Sequence, residues 1–420
     1  MTHRYATSRL CRLPLALTLA FGTGAGFAQQ PSQTIKVGAL ASMEGAFTVL
    51  GQDGMRGMEL ALKERDYKAG GKTIQLIKSS SNGSPDSALS AARKLVEQDK
   101  VDIVVGPTSG SEGIAVKNYA RTRPGVTFLN GSSAAQETTL REPAANFFRF
   151  GTDGAQWMVG LGSYAVQKGF KKVAVIAEDY AFPYSQVQGF MAEFCKAGGR
   201  VVDKAWVPLG TKDYSSVIAK LPDGIDAVYV ALGGADAVNF LTQYEQLGGS
   251  KPFIGGSITV DQTVLSYKGK RRDALIGTPS ASPIADSWDD PQWRKFVAAY
   301  KAQFKDGFSS PSLFAHGYYV NTLAMLDALD AVKGDLSNEQ AALRKTLATV
   351  PVKTPTGEVR LDENRNAIAS IFLTEVAKAP DGTLYNKVVK VTPNVNQQLG
   401  LSKEDFAKMG LGSRTNPECK

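Results

Sequence analysis

The fold prediction starts from residues 101–113, Val-Asp-Ile-Val-Val-Gly-Pro-Thr-Ser-Gly-Ser-Glu-Gly. The apolar run ends at a Gly-Pro step, and the hydroxyl-rich turn after it leads into a helical pattern. A short continuous apolar run is typical of a strand covered on both faces. A strand that feeds a helix in this way is one βα unit of a parallel sheet.

The same unit recurs along the chain in two sets. Strands are predicted at residues 35–40, 74–78, 103–105 and 126–129, and again at 173–176, 201–207, 227–230 and 253–254. Helical periodicity at residues 54–65 and 86–98 separates strands of the first set. This alternation predicts an α/β fold of two Rossmann-like lobes with parallel sheets.

The alternation stops near residues 146–153, 278–283 and 352–357, which we interpret as three crossings between the lobes. Further strand-like runs at 368–374 and 387–391 follow the third crossing. The sequence thus predicts a three-strand hinge. The predicted domains are a signal peptide at 1–28, lobe 1 at 29–149 with 279–354, lobe 2 at 150–278 with 355–392, and an irregular tail at 393–420.

The N-terminus has the features of a secretory signal. Arg4, Arg9 and Arg12 precede an apolar run at residues 13–21, and small residues follow up to Ala28. This order is typical of a cleaved signal peptide, so we expect a protein exported to the periplasm. An oxidising compartment would permit a disulfide between Cys195 and Cys419; the alternative is two free thiols.

Composition excludes several classes of protein. The 420 residues are 43% hydrophobic and 21% charged, as in an ordinary globular chain. Two histidines and three cysteines are too few ligands for zinc, haem or iron–sulfur sites, and we expect no metal or other cofactor. Without residues 1–28, 45 basic and 40 acidic residues remain, a charge of +5 with scattered lysines, so we expect no nucleic-acid partner.

Catalytic motifs are missing as well. The sequence has no nucleophile elbow, phosphate-binding loop or dinucleotide fingerprint. His316 lies in a helical apolar stretch, where a packing role is expected, and acid pairs such as Glu178-Asp179 fall in predicted turns where acids are usually exposed. We therefore expect no catalytic residue and no enzyme.

Small hydroxyl-rich turns follow the predicted strands of the first set, at residues 41–53, 106–113 and 130–135. In open α/β sheets, ligands bind beyond the carboxyl ends of the strands. Backbone N–H groups and Ser/Thr hydroxyls at helix N-termini suit a carboxylate, although any one such turn is more often a simple helix cap. The second set offers turns at 178–184, 232–236 and 255–259, in which Phe182 and Tyr184 are either core or pocket wall.

Several segments, in order, carry a family resemblance. They are residues 35–38, 45–53, 102–107, 179–182, 198–202, 213–218, 226–229 and 356–362. Together they resemble the type I periplasmic solute-binding proteins of ABC importers, in the branch that binds leucine, isoleucine and valine. The resemblance implies a monomer that captures a small solute between two lobes, and it implies partners in the inner membrane, an ABC permease and its ATPase.

The resemblance also implies ligand contacts. The family's carboxylate-binding turns fall on Ser109, Gly110 and Ser111, and on Ser132, Ser133 and Ala134. The aromatic contact from the second lobe falls on Phe182, and Phe47 would add to an apolar wall.

Two positions depart from the family pattern. The acid that would accept the ligand ammonium falls on Ser257, and a loop aromatic falls on Gly233. A buried ammonium needs an acceptor, so the solute is an amino acid only if Glu44, Glu112, Asp236 or Asp261 substitutes. Otherwise it is an aromatic or branched carboxylic acid.

Two other functions stay open at this point. The same clamp could serve a ligand-sensing receptor module in chemosensing or regulation. A secreted hydrolase on this scaffold would depend on His316 or Ser109.

Overall fold

Two sheets organise the structure, a computed structural model that describes residues 1–3, 6, 33–267 and 270–419. The predicted signal peptide lies outside these residues except at positions 1–3 and 6. The fold lies in the unit Gln33–Lys420.

The first sheet has the order β2-β3-β1-β4-β5-β6, and only the short edge strand β2 is antiparallel to its neighbour. Its strands are β1 Thr34–Ser42, β2 Lys68–Ala69, β3 Lys72–Ser81, β4 Ile103–Val105, β5 Thr127–Leu129 and β6 Phe147–Phe148.

The second sheet has the order β12-β13-β14-β11-β10-β9-β7-β8, with β15 paired to β14. Its strands are β7 Lys172–Glu178, β8 Arg200–Val207, β9 Ala227–Ala231, β10 Phe253–Gly255, β11 Pro279–Ser282, β12 Val352–Thr354, β13 Gly357–Leu361, β14 Ala367–Lys378 and β15 Leu384–Val395. The strands β7 to β11 are parallel, and β12 to β15 continue the sheet in antiparallel pairing.

Helices connect and cover the strands. They are α1 Thr48–Lys63, α2 Pro85–Arg93, α3 Gly110–Ala120, α4 Glu137–Leu140, α5 Gly154–Trp157, α6 Leu161–Gln167, α7 Ala181–Phe194, α8 Ser215–Ala219, α9 Gly234–Gln246, α10 Gln262–Leu265, α11 Pro291–Gln303, α12 Leu313–Ala331, α13 Ser337–Thr349 and α14 Lys403–Met409. Within the described residues, every helix is too short or too polar to span a bilayer.

The parallel parts of the two sheets share one strand order. The first sheet runs β3-β1-β4-β5-β6, and the second runs β8-β7-β9-β10-β11. Both are the 2-1-3-4-5 order of doubly wound sheets, which bind ligands where the order reverses, beside the first strand. The predicted pair of Rossmann-like lobes is therefore confirmed, and each lobe has its reversal point at the carboxyl end of β1 or β7.

The chain crosses between the sheets after β6, after β11 and again before β12. The strand β11 bonds to β10 and β14, so the second sheet extends to Ser282, beyond the predicted end of that part of lobe 2 at residue 278. The other lobe boundaries stay predictions.

The core of the first lobe depends on a close helix pair, α1 and α12. A Cβ atom on Gly57 would overlap the backbone of Ala315, and one on Gly54 would lie 2.7 Å from the Tyr318 ring. Glycine at these positions lets the two helix backbones approach. The helix predicted at 54–65 begins earlier, at Thr48, so much of the turn expected at 41–53 is helical.

The C-terminal tail is less irregular than predicted. Its first residues complete β15, and α14 follows. Cys195 and Cys419 form a disulfide with a Cα–Cα distance of 5.3 Å. The tail therefore packs on the second lobe, where the carbonyl oxygen of Arg414 accepts a hydrogen bond from the Trp206 indole at 3.0 Å.

Candidate functional site

The first lobe contributes a polar wall where β4 and β5 end. Thr108, Ser109 and Gly110 follow β4, and Ser132 follows β5. The Thr108 hydroxyl accepts a hydrogen bond from the Ser42 N–H at 3.0 Å, and the Ser132 hydroxyl donates to the Thr108 carbonyl at 3.3 Å. These bonds tie the ends of three neighbouring strands, β1, β4 and β5, together.

Helix α3 starts at this wall, with Ser109 as its N-cap residue. The Ser109 side chain caps the N–H of Glu112, whereas the N–H groups of Gly110 and Ser111 have no acceptor within their own helix, and the helix dipole places partial positive charge there. The wall is therefore suited to a carboxylate.

Beneath this helix end lies Glu112, which is fully buried. Its carboxylate accepts hydrogen bonds from the hydroxyls of Ser42 and Ser81 and from the N–H groups of Gly83 and Ser109, at 2.6–3.1 Å. Burial raises the pKa of Glu112, and these hydrogen bonds oppose the rise. All four donors belong to the first lobe, so the hydrogen bonds of Glu112 hold the segments of the polar wall together.

The second lobe contributes an apolar wall. Phe182, in the first turn of α7, packs edge-on against Trp157 with ring centroids 5.3 Å apart. Tyr180 lies between the lobes, 5.9 Å from the ring of Phe47 and 6.3 Å from that of Phe182. Large aromatic surfaces in this arrangement favour a flat apolar ligand.

The two walls enclose a cavity, here called the interlobe cavity. It is lined by Phe47, Leu50, Thr108, Ser109, Gly110, Ser132, Ala134, Trp157, Tyr180, Phe182, Ile258 and Phe314. None of these lining residues, all within the described part of the chain, is Asp, Glu, Lys or Arg. The site therefore offers dipoles and hydroxyls at one end and apolar rings elsewhere.

The lobes touch around the cavity, so the structure is the closed arrangement. The Ala181 N–H donates to the Ser111 hydroxyl at 3.3 Å, and the Gln136 N–H donates to the Ser185 hydroxyl at 3.0 Å. Both bonds join the start of α7 to the first lobe. A molecule in the cavity would be enclosed on both sides.

This chain resembles known proteins along most of its length. Residues 34–382 match the family model described as periplasmic binding protein. The chain belongs to the periplasmic binding protein family. Among its relatives, "Leu/Ile/Val-binding protein homolog 6" of Brucella melitensis is 26% identical over 369 residues, which cover 86% of this chain and 92% of that protein.

Solved structures of solute-binding proteins share the fold of this periplasmic binding protein. An ABC transporter substrate-binding protein from Sphaerobacter thermophilus is 29% identical with a TM-score of 0.76, and the match covers 87% of this chain and 99% of that one. A solute-binding protein of an ABC transporter from Rhodopseudomonas palustris BisB5, in complex with 3,4-dihydroxybenzoic acid, is 25% identical with a TM-score of 0.80 and the same coverages. The predicted family, the fold class and the solute-binding function are confirmed.

The structure of this periplasmic binding protein brings most of the predicted site residues together. Those that line the interlobe cavity are Phe47, Ser109, Gly110, Ser132, Ala134 and Phe182. They come from both lobes and from four different strand ends or helix starts, as the resemblance implied.

Four predicted site residues lie outside the lining. Ser111 is used in the contact between lobes, and the Ser133 hydroxyl donates to the Asn130 side chain at 2.5 Å. The Ser257 hydroxyl accepts a hydrogen bond from Gln186 at 2.7 Å, and the Gly233 N–H donates to Glu178 at 2.9 Å. Their polar groups are thus engaged within the protein, and a ligand role for them stays a prediction.

Sequence reasoning missed half of the lining. The missed residues are Leu50, Thr108, Trp157, Tyr180, Ile258 and Phe314. Thr108 and Tyr180 lie in turns that were predicted to follow strands, so their positions in the sequence could have identified them as site residues. Trp157 and Phe314 sit at the ends of helices whose placement depends on distant packing.

The expectation that Glu178 is an exposed turn acid is wrong. Glu178 is the last residue of β7, is fully buried and lies two residues before the cavity residue Tyr180. Burial raises its pKa well above the usual range, and the neighbouring Asp236 carboxylate adds to the rise. By contrast, His316 is the packing histidine that the sequence predicted, since it is buried and its Nε2 lies 3.1 Å from the Thr356 hydroxyl.

Proposed function

We propose that this periplasmic binding protein captures a small aromatic carboxylate in the interlobe cavity and delivers it to an ABC importer. The observation that carries the proposal is the cavity itself, in which the start of α3 faces aromatic side chains and no charged side chain is among the lining residues. The helix end would hold the carboxylate through N–H groups, and Ser132 would add a hydroxyl. The rings of Phe47, Trp157 and Phe182 would enclose the apolar part of the ligand.

An amino acid fits this cavity less well, because its ammonium group would lack an acceptor. The four acids that could have substituted for Ser257 are bonded elsewhere. Glu112 has four donors, Asp261 accepts from the N–H groups of Thr263 and Leu313, Asp236 accepts from that of Gly210, and Glu44 accepts from the Ser80 hydroxyl. An unpaired buried ammonium is costly, so a ligand without an amine is favoured.

The comparisons support both ligand classes in different ways. The Brucella relative carries the name of a Leu/Ile/Val-binding protein homologue, whereas the Rhodopseudomonas neighbour was solved with a dihydroxybenzoic acid. The lack of an acid among the residues that line the cavity favours the aromatic acid.

The direct test is a thermal-shift panel on the protein without its signal peptide. Benzoate and its hydroxylated derivatives should raise the melting temperature, because a ligand that binds only the folded state stabilises it by RT ln(1 + [L]/Kd). Leucine, isoleucine and valine should leave it unchanged. A shift with the amino acids alone would overturn the proposed ligand class.

Import is tested in the source organism. We propose that residues 1–28 direct the chain to the periplasm, where it would meet a permease with its ATPase. Deletion of the gene should abolish uptake of the radiolabelled acid that binds in the panel. Normal uptake with a lost chemotactic or regulatory response would instead support the sensing module, and conversion of the acid by the purified protein would support an enzyme.

A further inference from the structure

A second cavity lies behind the interlobe cavity, among the segments that connect the lobes. This hinge cavity is lined by residues of all three crossings, among them Phe150, Pro283 and Thr356. Residues of α12, including Leu313 and His316, form another side. It is therefore placed where the two lobes are joined.

The hinge cavity and the interlobe cavity share two lining residues, Ser132 and Trp157. Trp157 is buried, and its indole N–H donates to the Thr152 hydroxyl at 2.8 Å. Its ring also packs against Phe182. The indole thus stands between the two cavities, held by one hydrogen bond and one aromatic contact.

The chemistry of the hinge cavity suits an uncharged group. Its lining, all within the described residues, has no Asp, Glu, Lys or Arg. Burial lowers the pKa of His316 to about 3, so the imidazole is neutral at ordinary pH. Apolar side chains such as Phe150, Leu313 and Val320 dominate, and a few hydroxyls and the Asn130 amide are added. A hydrocarbon arm or second ring fits this lining, and a second carboxylate does not.

We propose that the hinge cavity is a second ligand subsite, which takes the uncharged distal part of aromatic carboxylates longer than benzoate, and that Trp157 is the specificity-determining residue that controls access to it. The proposal rests on the proposed function, because it assumes an aromatic carboxylate in the interlobe cavity. With the indole in place, the site accepts a single-ring acid. When the indole is removed or released, the two cavities join and a longer acid is accommodated.

The test compares Kd values for benzoate and for 3-phenylpropanoate by titration calorimetry. In Trp157→Ala, the ratio of Kd for phenylpropanoate to Kd for benzoate should fall by about tenfold or more, the range that one or two methylenes produce in an apolar pocket. Thr152→Val keeps the ring but removes its hydrogen bond, so it should shift the ratio in the same direction by less. Trp288→Leu, which changes a tryptophan outside both linings, should leave the ratio unchanged.

The outcomes separate the two proposals. If the native protein binds benzoate, and Trp157→Ala and Thr152→Val both keep the native ratio of the two Kd values, the hinge subsite is wrong and the proposed function stands. If the native protein binds no aromatic carboxylate, the proposed function fails and the subsite fails with it. If Trp157→Ala does not fold, the ratio measured with Thr152→Val decides, and a crystal structure of that variant with phenylpropanoate should show the phenyl ring in the hinge cavity.

Discussion

At the scale of single residues, Gly110 lets the two lobes approach closely because it has no Cβ atom. A Cβ atom there would lie 2.7 Å from the Cβ of Phe182 in the second lobe and 3.0 Å from that of Ala135. Gly110→Ala should therefore hinder closure while leaving the first lobe folded, and we expect Kd for the bound acid to rise about tenfold, or about 1.4 kcal/mol. Titration calorimetry measures this change.

The matched control is Gly125→Ala, because a Cβ atom at Gly125 would meet nothing within 4 Å. Its Kd should equal that of the native protein. An unchanged Kd in Gly110→Ala as well would show that the Phe182 contact does not limit closure.

The polar end of the site was predictable from the sequence, and the apolar end was not. Ser109, Gly110 and Ser132 follow strands directly, so the rule that ligands bind at strand ends finds them. Phe314 and Trp157 reach the cavity only because α12 and α5 pack where they do, and no local pattern encodes that. Glu178 was misjudged because an acid beside a turn is usually exposed, whereas this one ends a fully covered strand.

The burial of Glu178 has a consequence for stability against pH. Its pKa is raised in the folded state, so above about pH 4.5 the unfolded chain loses this proton while the folded protein keeps it. The folded state then binds more protons, and the free energy of unfolding falls as pH rises until the folded pKa is passed. Glu178→Gln removes this penalty, so its melting temperature should exceed that of the native protein by a few degrees at pH 8.

Thermal melts at several pH values check this prediction. The difference between Glu178→Gln and the native protein should shrink toward zero near pH 4.5. The exposed Glu358 provides the control, since Glu358→Gln should follow the native curve throughout. A variant that is less stable than the native protein at pH 8 would mean that Glu178 is ionised and stabilising there.

At the scale of elements, the packing of α1 against α12 stabilises the first lobe. Gly57→Ala would place a methyl group on the backbone of Ala315, which cannot move without displacing α12. We expect the free energy of unfolding to fall by about 3 kcal/mol, at the upper end of the usual cost of overpacking. Urea denaturation measures this loss, with Gly125→Ala again as the control. A loss below about 0.5 kcal/mol, the usual range for a neutral surface change, would show that the helices can separate freely.

Strands were easier to predict than helices and the tail. Runs such as Ile103–Val105 were found at their full length because a buried parallel strand is continuously apolar. The start of α1 was missed because Gly51 and Gly54 resemble loop residues, although they are glycine for close packing. The order in the tail was missed because contacts such as the Cys195–Cys419 disulfide join residues far apart in the sequence.

At the scale of the whole molecule, closure should depend on ligand. Only a few contacts join the start of α7 to the first lobe, such as the 3.3 Å bond between Ala181 and Ser111. A ligand that touches both lobes adds its differential affinity to the closed form. X-ray scattering should therefore give a radius of gyration for the free protein above the value calculated from this structure. Saturating benzoate should bring it down to that value.

Gly110→Ala gives an internal check on the scattering experiment, since its radius of gyration should respond less to the same benzoate concentration. Identical profiles with and without benzoate, under conditions in which calorimetry shows binding, would mean that the lobes do not move.

The pairing of α1 with α12 also bears on how the chain matures. The two helices are separated in sequence by the entire second Rossmann-like unit, yet each covers the apolar face of the other. Until α12 has been synthesised, a nascent chain has nothing against which this face of α1 can pack, so the first lobe completes its core only after the second Rossmann-like unit has been made.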